Sequence, residues 1–383
     1  MTVNKRLPGI VIAACYMVFF VLFFYALIIT KYFLYPIALA VLFAYLLYPV
    51  ANFFENKLHF PRILANLITL ILAVVLLAGV IVFIYKQLSM MIHDLGALKT
   101  KALENLFMLE KSVQSKTGIH TDKQQEWIKQ GVDAIFQGGS ELFGFVFTST
   151  TGTIARMILI PIFVFFFLYY RDKFYEFIIR ATKPRNQKVV KTILEEVSGV
   201  TKNYMGGVFI VVTILCITNS LGLWIIGVEF AILLGIITAI CNFIPYFGTI
   251  LGFSFVLLFT LLTGDSPSQL LGVVALFIII LFTEHNILTP NIVGGNVKLN
   301  PIVIILSLIV GAMVWGIPGM LVVVPVMAVL RIVADNIKGY QPIAFLLGVE
   351  GTEKHSLTIK KIKSLFQKKK IQQEKKSETS DNN

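Results

Sequence analysis

Charge is scarce in this chain. Asp, Glu, Lys and Arg make up 14% of its 383 residues, against about 25% in water-soluble domains, which excludes an ordinary soluble fold. Cysteine is scarcer still: Cys15, Cys216 and Cys241 sit in apolar stretches without metal-ligand spacing and read as small packing residues. The five histidines are scattered, with no pair four apart on one helix. Enzymatic signatures are missing as well. The chain has no G-x-x-x-x-G-K-[ST] loop, no H-E-x-x-H and no G-x-S-x-G. A pump driven by its own ATPase is thereby excluded, and no cofactor is expected. Secondary transport, passive permeation or a non-transporting membrane role remain.

What the chain has is apolar length. Hydrophobic residues are 57% of the total and the mean hydropathy is +0.82, so the fold expected is an all-α polytopic membrane protein. Uninterrupted spans are expected at 10–30, 33–52, 63–85, 146–170, 206–227 and 270–288. Two further segments are too long and are broken in the middle. The first, 230–262, is interrupted by Asn242-Phe243-Ile244-Pro245-Tyr246-Phe247-Gly248. The second, 302–333, is interrupted by Gly316-Ile317-Pro318-Gly319. A membrane helix needs about 20 residues, so 33 and 32 residues are surplus for one crossing and short for two. Their halves of 12 to 14 residues favour re-entrant hairpins over kinked spans. Non-helical backbone at membrane depth requires protein or a water-filled cavity to satisfy its polar groups, and paired interruptions point to a transport site.

The net charge of +12 is concentrated in two places. Residues 171–203 hold eight Lys/Arg against four acids, and 352–383 hold nine Lys against four acids. Basic stretches beside spans mark the cytoplasmic side, which puts both termini inside, whether the broken segments cross or turn back. A nucleic-acid partner would require a basic structured face, and none is expected. The organisation is therefore three helices over 1–86, a polar helical insertion over 87–145, a span over 146–170, a basic loop over 171–203, a transport half over 204–335 and a basic tail over 336–383. Within the insertion, Thr121-Asp122-Lys123-Gln124 has the form of a capping box, opening a helix that runs to Gly138-Gly139. In the tail, Ile359, Ile362 and Phe366 could stripe a basic helix on anionic lipid; a solvated tail is the alternative.

Candidate pathway residues come first from the breaks. Pro245 removes an amide donor, Gly248 allows close backbone approach, and Asn242 and Tyr246 offer polar groups to a solute or cation. Gly316, Pro318 and Gly319 make a hinge. Between the breaks stand Glu284, His285 and Asn286, followed by Asn291; an acid at the end of an apolar run is costly and is often functional. Adjacent residues on a helix do not face each other, so His285 is a doubtful partner for Glu284. Arg156, about ten residues into its span, would hold an anion if buried.

Asn242-Phe-Ile-Pro245-Tyr-Phe-Gly248, Pro290-Asn291-Ile-Val-Gly294, Leu299-Asn300-Pro301 and Gly316-Ile-Pro-Gly319 with Pro325 resemble the autoinducer-2 exporter family of bacterial permeases. The specific part of the likeness is about 204–335. Thr249 stands where that pattern often has a second proline, and Asn300 where it often has histidine. The resemblance implies a cytoplasmic-membrane permease, homo-oligomeric with a pentamer among the options. It exports a small polar solute such as the furanosyl quorum-sensing signal, or exchanges sodium for protons. A membrane scaffold without transport is the third reading.

Overall fold

The computed structural model describes residues 9–117, 123–148, 150–245, 247–293 and 298–350; Tyr246, the Thr121-Asp122 part of the capping box and the lysine-rich tail lie outside the described residues. Helices dominate throughout, and among the described residues the β-structure is a single antiparallel bridge, Leu299 to Gly348. In chain order the helices are α1 (Gly9–Ile29), α2 (Lys31–Asn52), α3 (Arg62–His93), α4 (Leu95–Thr117), α5 (Lys123–Thr148), α6 (Thr150–Tyr169), α7 (Arg171–Ala181), α8 (Gln187–Ile226), α9 (Ala231–Cys241), α10 (Phe247–Thr263), α11 (Pro267–Thr283), α12 (Pro301–Trp315), α13 (Ile317–Asn336) and α14 (Gln341–Leu347). Wide π-type turns carry α2 through Phe53–Lys57 and α11 through Glu284–Val293. Among the described residues, six of these helical stretches are long and apolar enough to cross a membrane, and the chain is an all-α polytopic membrane protein.

Both broken segments fold back on themselves. In a straight helix Gly311 and Gly319 would be about 12 Å apart, at 1.5 Å per residue. Here a Cβ added to Gly311 would lie 2.7 Å from the Gly319 carbonyl oxygen, and one on Gly319 would collide with the Gly311 carbonyl. The reversal is made at Gly316, whose φ of 68° and ψ of −140° suit only glycine. In the first segment, a Cβ on Gly252 would lie 3.0 Å from the Thr238 Cα, although a straight helix would separate them by about 21 Å. Each break is thus the apex of a helical hairpin. The arms are unequal, however. Arms α9, α10 and α12, of 11, 17 and 15 residues, fall short of the roughly 30 Å core, while α13 with 20 residues matches it.

Two other stretches differ from expectation in extent. The basic stretch 171–203 is helical, forming α7 and the first four turns of α8. The glycine pair at 138–139 does not end α5, which continues to Thr148; glycine weakens a helix interior by about 1 kcal/mol without forbidding it.

The core has two halves. In the N-terminal half, small residues on one face of α2 (Ala40, Ala44 and Ala51) bury against Val164 and Leu168 of α6, the close backbone approach favoured between membrane helices. In the C-terminal half, the first hairpin packs through Leu233, Leu234 and Val256 against Leu223 of α8 and Phe277 of α11. Leu88, Met91 and Leu98 of the polar insertion join the same cluster, so that insertion is docked onto the hairpin. At the opposite extreme, α1 contains no buried residue; its backbone at Leu27 accepts a 3.0 Å hydrogen bond from the Trp315 indole.

Candidate transport site

The apex of the first hairpin is built from tight turns. Pro245 has no amide hydrogen, so the helix cannot propagate through it. The amides of Asn242, Phe243 and Ile244 bond three residues back, to Ala239, Ile240 and Cys241, and Gly248 bonds to Ile244. Gly248 is obligatory, because a Cβ there would collide with the Cys241 carbonyl. The described amides of the apex are therefore satisfied locally, which leaves the Asn242 side chain free to point across to a neighbouring element.

That element is the π-type turn after α11. Pro290 within it also lacks an amide hydrogen, which is compatible with the widened hydrogen-bond register. Its carbonyl at Ile292 approaches α8 at Gly207, where an added Cβ would lie 2.8 Å away. Held in this way, Glu284 at the head of the turn is 6% exposed. Asn242 Nδ2 donates to Glu284 Oε1 at 2.6 Å, and Thr249 Oγ1 donates to Asn242 Oδ1 at 2.7 Å. The result is a three-member polar chain, Thr249 to Asn242 to Glu284, linking both arms of the hairpin to α11. Glu284 Oε2 is buried with no partner among the described residues. A buried carboxyl oxygen in that state is satisfied by a proton on it or a cation beside it.

The other expected pathway residues are distributed differently. His285 pairs through Nδ1 with the Leu281 carbonyl, and Asn286 and Asn291 donate to Phe282 and Ile287; all three are exposed on their own helix and turned away from Glu284. Pro245 is half-buried at the apex. Gly316, Pro318 and Gly319 form the second apex, which meets the first through a shared cluster. Leu308, Val322 and Val324 are buried in it together with Leu39 and Leu42 of α2 and Tyr204 and Met205 of α8, and Ile244 and Trp315 pack against it. Arg156 lies in α6, and its side chain is outside the described residues. Among the described residues, no group of three His, Cys, Asp or Glu could hold a metal ion.

Sequence reasoning missed the residues that stitch the hairpin's open end. Asn105 of α4 donates to the Leu262 and Gly264 carbonyls at 2.9 and 2.8 Å, satisfying the end of α10. Lys101, one turn earlier, pairs with Glu229 at 3.2 Å and Asp265 at 2.8 Å, one carboxylate at each foot of the hairpin. Gln269 donates to the Gly227 carbonyl and accepts from the Asp265 amide. Burial pulls the Lys101 ammonium down, but Asp265 and Glu229 outweigh it and hold the pKa above the usual lysine value. The only signal for this in the sequence was the helical spacing of the insertion, which said nothing of its target.

An all-helical membrane bundle with paired hairpins and a buried polar chain at an apex has the form of a membrane transport protein. The comparisons specify the family: a profile of AI-2E family transporters matches residues 17–339, and the chain belongs to that family. It is 28% identical over 307 residues to YrrI of Bacillus subtilis (strain 168), a candidate transport protein, covering 78% of this chain and 84% of YrrI. A second candidate transport protein of the same organism, YueF, is 24% identical over 312 residues, covering 79% of this chain and 84% of YueF. The candidate permease PerM of Escherichia coli (strain K12) matches at 24% over 177 residues, 46% of this chain and 50% of PerM.

Proposed function

We propose that this chain is an ATP-independent permease exporting a small polar solute, whose path passes the Thr249–Asn242–Glu284 chain. The observation that carries this reading is the 2.6 Å bond from Asn242 to the buried Glu284. It puts hydrogen-bonding groups from two separate elements at one apex, inside an otherwise apolar bundle. The family name makes a furanosyl signal of the autoinducer-2 type the first solute to test. The charge distribution supports a bacterial cytoplasmic-membrane orientation with both termini inside. The bare flank of α1 supports a homo-oligomer, and no catalytic role is proposed.

The test is efflux of autoinducer-2 from proteoliposomes. Asn242→Leu, Pro245→Ala and Gly316→Leu should each slow it at least tenfold in folded protein; wild-type flux in all three would overturn the reading. A second reading, sodium/proton exchange, is favoured by the unpartnered Glu284 Oε2. It predicts sodium-dependent proton movement in vesicles that Glu284→Gln abolishes, with autoinducer-2 flux absent from the wild type.

A further inference from the structure

At the basic end of the bundle, far along the chain from the polar apex, α7 stands off from the helices it follows. Phe174, Tyr175 and Ile178 of α7 remain exposed although they face a cavity of about 400 Å³. Its opposite walls are Val41 of α2, Phe167 of α6 and Leu194 of α8, each half-buried. The slot is thus lined largely by apolar side chains that are exposed on the α7 side and half-buried on the other, and its size lies in the range of small-molecule sites, about 300–1,000 Å³.

The rim is cationic. The Arg171 guanidinium lies 5.0 Å from the centre of the Tyr48 ring and the Lys202 ammonium 5.7 Å from the same ring. Arg171 and Tyr48 both line the cavity. Of the acids nearby, Glu55 is engaged by Arg62 and Arg171, and Asp172 by Arg62 at 2.6 Å. Lys202 has no ion-pair partner among the described residues, and Arg171 Nη1 is buried without an acceptor. A largely apolar slot calls for hydrocarbon, and the unpaired Lys202 ammonium at its mouth calls for an anion. One molecule that carries both is an anionic phospholipid.

We propose that the slot between α7, α2 and α8 is a binding site for an anionic phospholipid. Its phosphate sits at Lys202, and an acyl chain lies along Val41, Phe167 and Leu194. Basic pockets between membrane helices on the cytoplasmic side are the usual seat of such headgroups, and α7 carries the aromatic and basic residues of a helix lying at the lipid interface.

The experiment uses the full chain in mixed micelles of phosphatidylglycerol and phosphatidylcholine, with bound lipid counted by native mass spectrometry. Wild type should retain phosphatidylglycerol preferentially, Lys202→Gln should lower that preference about fivefold, and Lys202→Arg should restore it. Arg171 is left intact because it also holds Glu55. Val41→Trp and Ser198→Phe fill the slot from α2 and α8 and should each lose the retained lipid. If one of them fails to fold, the other still decides. Equal retention of the two lipids by wild type, or an undiminished preference in Lys202→Gln, overturns the proposal. So does displacement of the lipid by inorganic phosphate, which would mark a free-anion site instead.

Discussion

The two hairpins reverse the chain by opposite means. The second turns on one residue, Gly316 at positive φ, and closes by glycine against glycine at positions 311 and 319; its buried residues are apolar except Ser307. The first needs a seven-residue apex, carries the Thr249–Asn242–Glu284 chain there, and is stitched at its feet by Lys101, Asn105 and Gln269. A reversal alone requires no polar side chain, as the second hairpin demonstrates. The buried polar groups of the first are therefore surplus to turning, and burying them costs stability unless every partner is met. That surplus makes the first apex the candidate site and the second its packing support.

The sharpest way to break this contrast is at the second apex. Gly319→Leu forces a side chain into the Gly311 backbone and should cost at least about 3 kcal/mol, read as loss of monodisperse protein. If it is tolerated, the second hairpin is not a packing element. Next in size, Glu284→Gln should lower solute or ion flux more than tenfold while leaving the thermal midpoint near wild type, because the amide keeps the shape and an acceptor for Asn242. A melt without loss of flux would reduce Glu284 to structure. Thr249→Val removes one hydrogen bond, worth about 1 kcal/mol, and should slow flux severalfold with little effect on stability. The smallest effect is at the feet, where Lys101→Met should cost about 1 kcal/mol.

That last term also has a pH signature. The folded-state pKa of Lys101 is raised above the ordinary lysine value of 10.5, so its contribution is complete below that value and lost as pH climbs past the raised one. Thermal midpoints of wild type and Lys101→Met should differ by a constant amount from neutral pH to about pH 10, then converge.

Much of the fold was legible because membrane helices are written in long apolar runs, and breaks in those runs are visible without neighbours. Asn242 and Glu284 were both legible as polar residues in costly places. Their meeting was not, since 42 positions separate them and only the docking of the π-type turn against Gly207 brings them together. Thr249 was read as a departure from a pattern, yet its hydroxyl closes the polar chain, a role invisible without the reversal at Pro245. His285, Asn286 and Asn291 sat close to Glu284 in sequence and turned elsewhere, because residues one and two positions on project to other faces of a helix and the wider π-type register carries the seventh off the face it would share in an α-helix. The docking of Lys101 and Asn105 depended on tertiary contacts more than 120 residues away.

The hydrogen bond from the Trp315 indole to Leu27 also gives the protein an optical probe of its own. The chain has three tryptophans, and Trp127 and Trp224 are exposed at 68% and 67%. With those two replaced by phenylalanine, the remaining emission comes from the apex of the second hairpin, where the indole ties α12 to α1. Its wavelength and anisotropy would then register whether that apex shifts against α1 when solute is added, without any attached dye.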